Sequence, residues 1–336
     1  MQASSRLPDP SVCLAPTSDR WGLALHRYPN ADPDAPAAIL CSGYGCNRHF
    51  VDFDEHYSLA RHLARDGFDT WVIELRGRGM SQPLRGCQNA NRWTFDDFVT
   101  TDVPTVIRFV QQQLGHRRIC WIGHSMGGMV MYAYLGLARD DAVPAAAVSL
   151  ATPIGFPRVA SDLAHGLGKL LLSIPISARV PQRPVIGALW HLVGWTRALE
   201  VGMNPDNIDR HTVGTALRKS MSNVSREKLL QLAHWSATGT FSSVDGTVDY
   251  RRNLARIRTP MLVVAGANDR LAPPEIAGTG YDQIASPIKR MVVLGRSEGF
   301  DADYGHVDII FGRQAPAEVF PLIAEWARET LAEVDV

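Results

Sequence analysis

Short, wholly apolar runs alternate with longer amphipathic stretches along much of the chain. Residues 38–41 (Ala-Ile-Leu-Cys), 71–73 (Trp-Val-Ile), 119–122 (Ile-Cys-Trp-Ile) and 146–150 (Ala-Ala-Val-Ser-Leu) read as buried strands. A helix is predicted over 55–66, where Leu59 and Leu63 are four apart and Gly67 is placed to end it. Residues 76–91 are polar and contain glycines. Thr94 caps a further helix whose third position is Asp97, with Val99, Val103, Val106, Val110 and Leu114 marking one face. Pro104 lies inside that pattern, so the helix is expected to kink or restart there.

The alternation stops after Pro153, and 155–245 carries Gly, Pro, apolar and basic residues without it. It resumes with strands at 261–264 and 291–294, a helical stretch after Pro274, and a helix over 315–334 with Val319, Ile323 and Trp326 on one face. Buried strands alternating with helices imply an α/β fold, a mostly parallel sheet covered by helices on both faces. The chain then divides into one core, 1–154 with 246–336, and a helical cap insertion, 155–245.

Composition narrows the class. A length of 336 residues fits two ordinary domains or one enlarged one. Lys+Arg 34 balances Asp+Glu 34, which argues against nucleic acid or an anionic membrane as partner, since both demand a basic excess. No uninterrupted apolar run approaches the ~18 residues of a membrane span, and 1–10 has no apolar core of a secretory signal. Five cysteines (Cys13, Cys41, Cys46, Cys87, Cys120) without a CxxC fit reduced thiols and a cytoplasmic location. Cys46 with His49, and Cys120 with His124, lack the further ligands of a zinc site, so no metal is expected.

Candidate chemistry centres on Gly123-His124-Ser125-Met126-Gly127, a G-x-S-x-G run between an apolar strand and a helix-compatible stretch. A serine there sits on a sharp turn with its hydroxyl exposed, and Gly123 and Gly127 give the room. The following helix aims its N–H groups at the reacting centre. A hydroxyl needs a neighbouring base. In the order Ser, acid, His, the acid follows a later strand and the base follows the last one. Asp269, after 261–265, and His306, before the terminal helix, occupy those places. Asp301, Asp303 and Asp308 flank His306 as competing acids, and Asp308 is alternatively a tie for the loop. His124 points away from the reacting centre and reads as a packing residue. Backbone N–H groups of Met126 and of Tyr44, in the glycine-containing loop 42–45, are the expected oxyanion donors.

These residues resemble the α/β-hydrolase superfamily of capped serine esterases and lipases, from about Trp21 to the C-terminus except for the insertion. The likeness rests on 42–45 (Ser-Gly-Tyr-Gly), 74–81 (Glu-Leu-Arg-Gly-Arg-Gly-Met-Ser), the Ser125 turn, Asp269 and Gly305-His306. It implies the fold, the triad and a pocket under a cap. Two positions depart from the family pattern: Ser42 stands where His is common, and Glu74 where Asp is common. The first requires a different support for the oxyanion loop. Residues 60–77 and 304–308 also look like lipase-like hydrolases related to polyhydroxyalkanoate synthases, which use Cys as nucleophile. Ser125 argues for a serine ester instead, and against the Asp-dependent epoxide hydrolases and dehalogenases.

The insertion is rich in large apolar residues, among them Phe156, Leu170, Trp190, Trp195, Met203, Trp235 and Phe241, and mildly basic. These build a core for the cap itself or, with Phe156, Trp190 and Trp195 as the nominated contacts, line a site for a lipophilic acyl or alcohol group. The resulting expectation is a serine hydrolase acting on a small-molecule carboxylic ester, lactone or other acyl substrate, without metal or organic cofactor. An acyltransferase or cyclase on the same triad, a C–C bond hydrolase and a non-catalytic binding protein of the same fold are the alternatives.

Overall fold

The computed structural model describes residues 7–115, 118–137, 142–155, 179–180 and 201–333. Eight principal strands form one sheet: β1 Ser11–Pro16, β2 Trp21–Tyr28, β3 Ala37–Cys41, β4 Asp69–Glu74, β5 Ile119–His124, β6 Ala146–Leu150, β7 Met261–Gly266 and β8 Lys289–Leu294. Their spatial order is β1-β2-β4-β3-β5-β6-β7-β8, and the two-residue strand Gln82–Pro83 pairs with β2. From β4 to β8 every pairing is parallel, whereas β1 and β2 join antiparallel.

Strands β3 to β7 are buried on both faces because helices cover both. Alternate residues therefore enter different layers. Trp71 and Trp121 pack on one side, with Val106 and Val110 of α2 (Val103–Leu114) and Met129 of α3 (Met126–Leu137). Val72 and Ile122 pack on the other, with Leu59 of α1 (Leu59–Arg65) and Ile323 of the terminal helix Ala315–Glu333. Ser58 caps α1 by accepting the Arg61 N–H at 3.0 Å, so this helix starts later than its apolar pattern predicts.

The predicted restart at Pro104 takes a definite form. A short helical turn Phe95–Asp97 widens into a π-turn over Phe98–Asp102, and α2 begins beside the proline. Proline has no N–H to continue the ladder, so the wider turn precedes it. The hairpin β1–β2 was not predicted. Its outer strand is mostly exposed, with Val12 and Leu14 open, and carries too little apolar alternation to be read locally.

The insertion leaves the core between β6 and β7. Its described part includes α4 (Arg210–Ser220) and α5 (Arg226–Thr238), capped by Asp209 and Ser225. Trp235 and Phe241 pack with Phe95 at ring separations of 4.9 and 5.8 Å, and with each other at 5.1 Å. They anchor the insertion to the core. None of the described helices is long and apolar enough to cross a membrane.

Candidate active site

Ser125 follows β5 and makes the turn into α3 with φ 52°, in the left-handed region that a side chain occupies only under constraint. The constraint is visible in its neighbours. Its N–H donates to Leu150 O at 2.8 Å, and its carbonyl accepts from Gly128 and Met129 at 3.0 Å. A Cβ on Gly123 would lie 2.5 Å from the Gly127 backbone, and one on Gly127 would lie 2.1 Å from Cys41 O. Only glycine at both places lets helix and strands close this tightly around the serine.

Three side chains remote in sequence meet here. His306 Nε2 is 2.9 Å from Ser125 Oγ, and His306 Nδ1 is 2.8 Å from Asp269 Oδ2. The other Asp269 oxygen accepts two N–H bonds, from Leu271 and Ala272, both at 2.8 Å. Burial works against ionisation of Asp269, but His306 and these backbone donors outweigh it and hold the carboxyl below its usual range. The loops are locked together: Asn268 N–H donates to Tyr304 O at 2.8 Å, and a Cβ on Gly266 would strike that same oxygen.

Two of the competing acids, Asp308 and Asp303, do other work. Asp308 accepts from the N–H groups of Gly305 at 3.0 Å and Asn204 at 2.9 Å, tying the His306 loop to the insertion. Burial pushes its pKa up to about 6. Asp303 accepts the Arg296 N–H at 2.9 Å. His124 lies beneath the turn, stacked 4.6 Å from Phe50, with Nε2 2.9 Å from His306 O. Burial, and secondarily His306, depress its pKa to about 3, so it is a neutral donor to that carbonyl.

The loop after β3 lies against the serine: a Cβ on Gly43 would be 3.2 Å from Ser125 Cβ. Ser42, at the position where the family often has His, donates its hydroxyl to Asn47 O at 3.2 Å. Its carbonyl accepts from Arg78 Nη1 at 2.9 Å, while Arg78 Nη2 reaches Met126 Sδ at 3.6 Å. Arg78 therefore supplies the loop support that Ser42 lacks. Glu74 is buried too, accepting N–H bonds from Arg48 at 3.0 Å and Met80 at 2.6 Å. Its longer side chain still ties the loops after β3 and β4.

Segment 201–245 approaches this centre from one side. Ser222 N–H donates to Gly45 O at 2.7 Å, Val307 N–H donates to Gly202 O at 2.9 Å, and Met203 packs closely against Gly305. Phe156, Trp190 and Trp195 lie outside the described residues. Lys228, on α5, was not singled out from the sequence. Its ammonium lies 4.6 Å from the Tyr44 ring centre, and only its neighbourhood distinguishes it from the other basic residues of the insertion. Cys46 with His49, and Cys120 with His124, gather no third metal ligand among the described residues.

A strand-turn-helix serine bonded to a histidine that is itself bonded to an aspartate, on a sheet of this order, defines a hydrolase-type architecture. A family model described as alpha/beta hydrolase fold matches residues 36–312, and the chain belongs to that family. It is similar to a tear acid lipase-like protein of Mesocricetus auratus, 21% identical over 90% of this chain and 83% of that one. It is likewise similar to lipase member M of Homo sapiens, 23% identical over 90% and 79%. Among solved structures, a thermophilic esterase from Thermogutta terrifontis superposes with a TM-score of 0.63 at 18% identity, covering 96% of this chain and 99% of that one.

Proposed function

We propose that the protein is a serine hydrolase of carboxylic esters or lactones, acting through an acyl-enzyme on Ser125. The observation that carries this reading is the continuous hydrogen-bonded line Ser125–His306–Asp269, with separations of 2.9 and 2.8 Å. His306 Nε2 takes the Ser125 proton as Oγ attacks the acyl carbon. Asp269 fixes the tautomer that leaves Nε2 free to accept, and it stabilises the imidazolium that forms. The N–H groups of Met126 and Tyr44 hold the oxygen that becomes negative. The imidazolium then returns its proton to the leaving alcohol. Water, deprotonated by the same histidine, attacks the acyl-enzyme and releases the acid. No step calls for a metal or organic cofactor.

The lipase and esterase relatives support ester hydrolysis as the reaction. Segment 155–245 acts in this reading as a cap, supported by the contacts of 201–245 with the Gly43 and His306 loops. Ser125→Ala should abolish both fluorophosphonate labelling and turnover of short p-nitrophenyl esters. Labelling that persists in the folded variant rules out Ser125 as the nucleophile.

A further inference from the structure

Two cations are buried next to the oxyanion loop without a counter-charge among the described residues. Arg78, on the loop after β4, is 2% exposed, and Lys228, on α5 of the insertion, is 1% exposed. They flank one ring: the Arg78 guanidinium carbon and Lys228 Nζ are each 5.4 Å from the centre of Phe98. Lys228 Nζ also lies 4.6 Å from the Tyr44 ring centre. Arg78 spends its two terminal nitrogens on Ser42 O and Met126 Sδ, and its Nε–H is buried without a partner. No carboxylate pairs with either cation among the described residues. This contrasts with Arg76, two residues before Arg78, which is paired to Asp102 and Asp19.

Isolated buried charge is costly, and folded proteins pair it or neutralise it. Two aromatic faces recover only part of the hydration that an ammonium loses. Cys46 is no counter-ion: burial pushes its thiol up to about 11, so it remains protonated. Burial, and then the neighbouring Arg78, push the Lys228 ammonium well below its ordinary range. Lys228 is short of a negative partner among the described residues, and an arriving anion would favour its charged form.

We propose that Arg78 and Lys228 form the recognition site for a carboxylate carried by the ester substrate. The inference rests on the ester-hydrolase reading above and narrows its substrate class. The arriving carboxylate would take hydrogen bonds from the Lys228 ammonium and the idle Arg78 Nε–H, and it would supply the negative charge that no described residue supplies to them. A wholly neutral lipid ester would leave both cations unpaired in the bound complex.

The test uses purified full-length protein and two ester pairs. Mono-p-nitrophenyl glutarate against p-nitrophenyl hexanoate places the carboxylate on the acyl side. 3-Carboxyphenyl butyrate against phenyl butyrate places it on the alcohol side. The charged member of at least one pair should be preferred roughly tenfold or more in kcat/KM, the worth of one charge-assisted hydrogen bond. Lys228→Met should bring that ratio close to one, and Lys228→Arg should restore part of it. Glutarate should inhibit the wild type competitively and the Lys228→Met variant at least tenfold more weakly. The proposal is overturned if neither charged ester is preferred, or if the preference survives Lys228→Met. It is equally overturned if Lys228→Met lowers both members of a pair alike, which would assign the lysine to general support of the oxyanion. Absence of turnover and of fluorophosphonate labelling in the wild type would instead sink the ester-hydrolase reading itself.

Discussion

At the scale of single residues, the site is held by groups that never touch the reacting atoms. His124 is the clearest. It is buried and neutral, and Nε2–H reaches the carbonyl of His306, so it holds the main chain that carries the candidate base. Its protonation couples acid to stability. The unfolded chain binds the proton near pH ~6.5, whereas the folded protein resists it until about 3. Between those values the unfolded state holds more protons, so this contribution is complete above the upper value and lost as pH falls toward the lower. The slope is about 1.4 kcal/mol per pH unit. Urea denaturation at pH 7.5 and 5.0 should therefore show a stability drop about 2 kcal/mol larger in the wild type than in His124→Gln. Equal drops would show that His124 does not carry the effect.

At the scale of elements, each catalytic candidate stands on a junction rather than inside a helix or strand. Ser125 joins β5 to α3, Asp269 follows β7, and His306 follows β8. Strand ends in a parallel sheet lie at one edge, so residues far apart in the chain converge there. In the proposed carboxylate site, the insertion contributes through α5, which carries Lys228. Ser225 caps that helix by accepting the Lys228 N–H at 3.1 Å and donates its hydroxyl to Trp93 O. Ser225→Ala should cost about 1 kcal/mol of local stability. Amide hydrogen exchange within 226–238 should then accelerate about fivefold, while α2 stays unchanged. An unchanged exchange rate in α5 would show that the cap does not hold this helix in place.

At the scale of the whole molecule, Arg76 joins three segments distant in sequence. Its side chain is wholly buried, with Nη2 2.7 Å from Asp102 and Nη1 2.7 Å from Asp19, so it links the β1–β2 turn, the loop after β4 and the π-turn before α2. Arg76→Met would leave Asp102 buried without a counter-charge, with the backbone N–H of residue 76 still donating to it at 3.0 Å, at a cost of about 3–5 kcal/mol. The double variant with Asp102→Leu should recover most of that loss, read as the urea midpoint. Failure to recover would place the arginine's worth in its bond to Asp19.

The alternating apolar runs and the G-x-S-x-G turn were legible in the sequence because a strand buried on both faces must be apolar throughout and because the sharp turn admits only glycine at its flanks. The order of Ser125, Asp269 and His306 was legible for the same local reason, since each follows a strand. The outer strand of the N-terminal hairpin was not, because an exposed edge strand has no burial to pattern it. The sequence offered Asp308 as a tie for its loop but did not mark its partner Asn204, nor the support that Arg78 gives Ser42 or the approach of Lys228 to Tyr44. Charged side chains look alike along a chain, and only the tertiary structure decides which of them lose water and which find a partner.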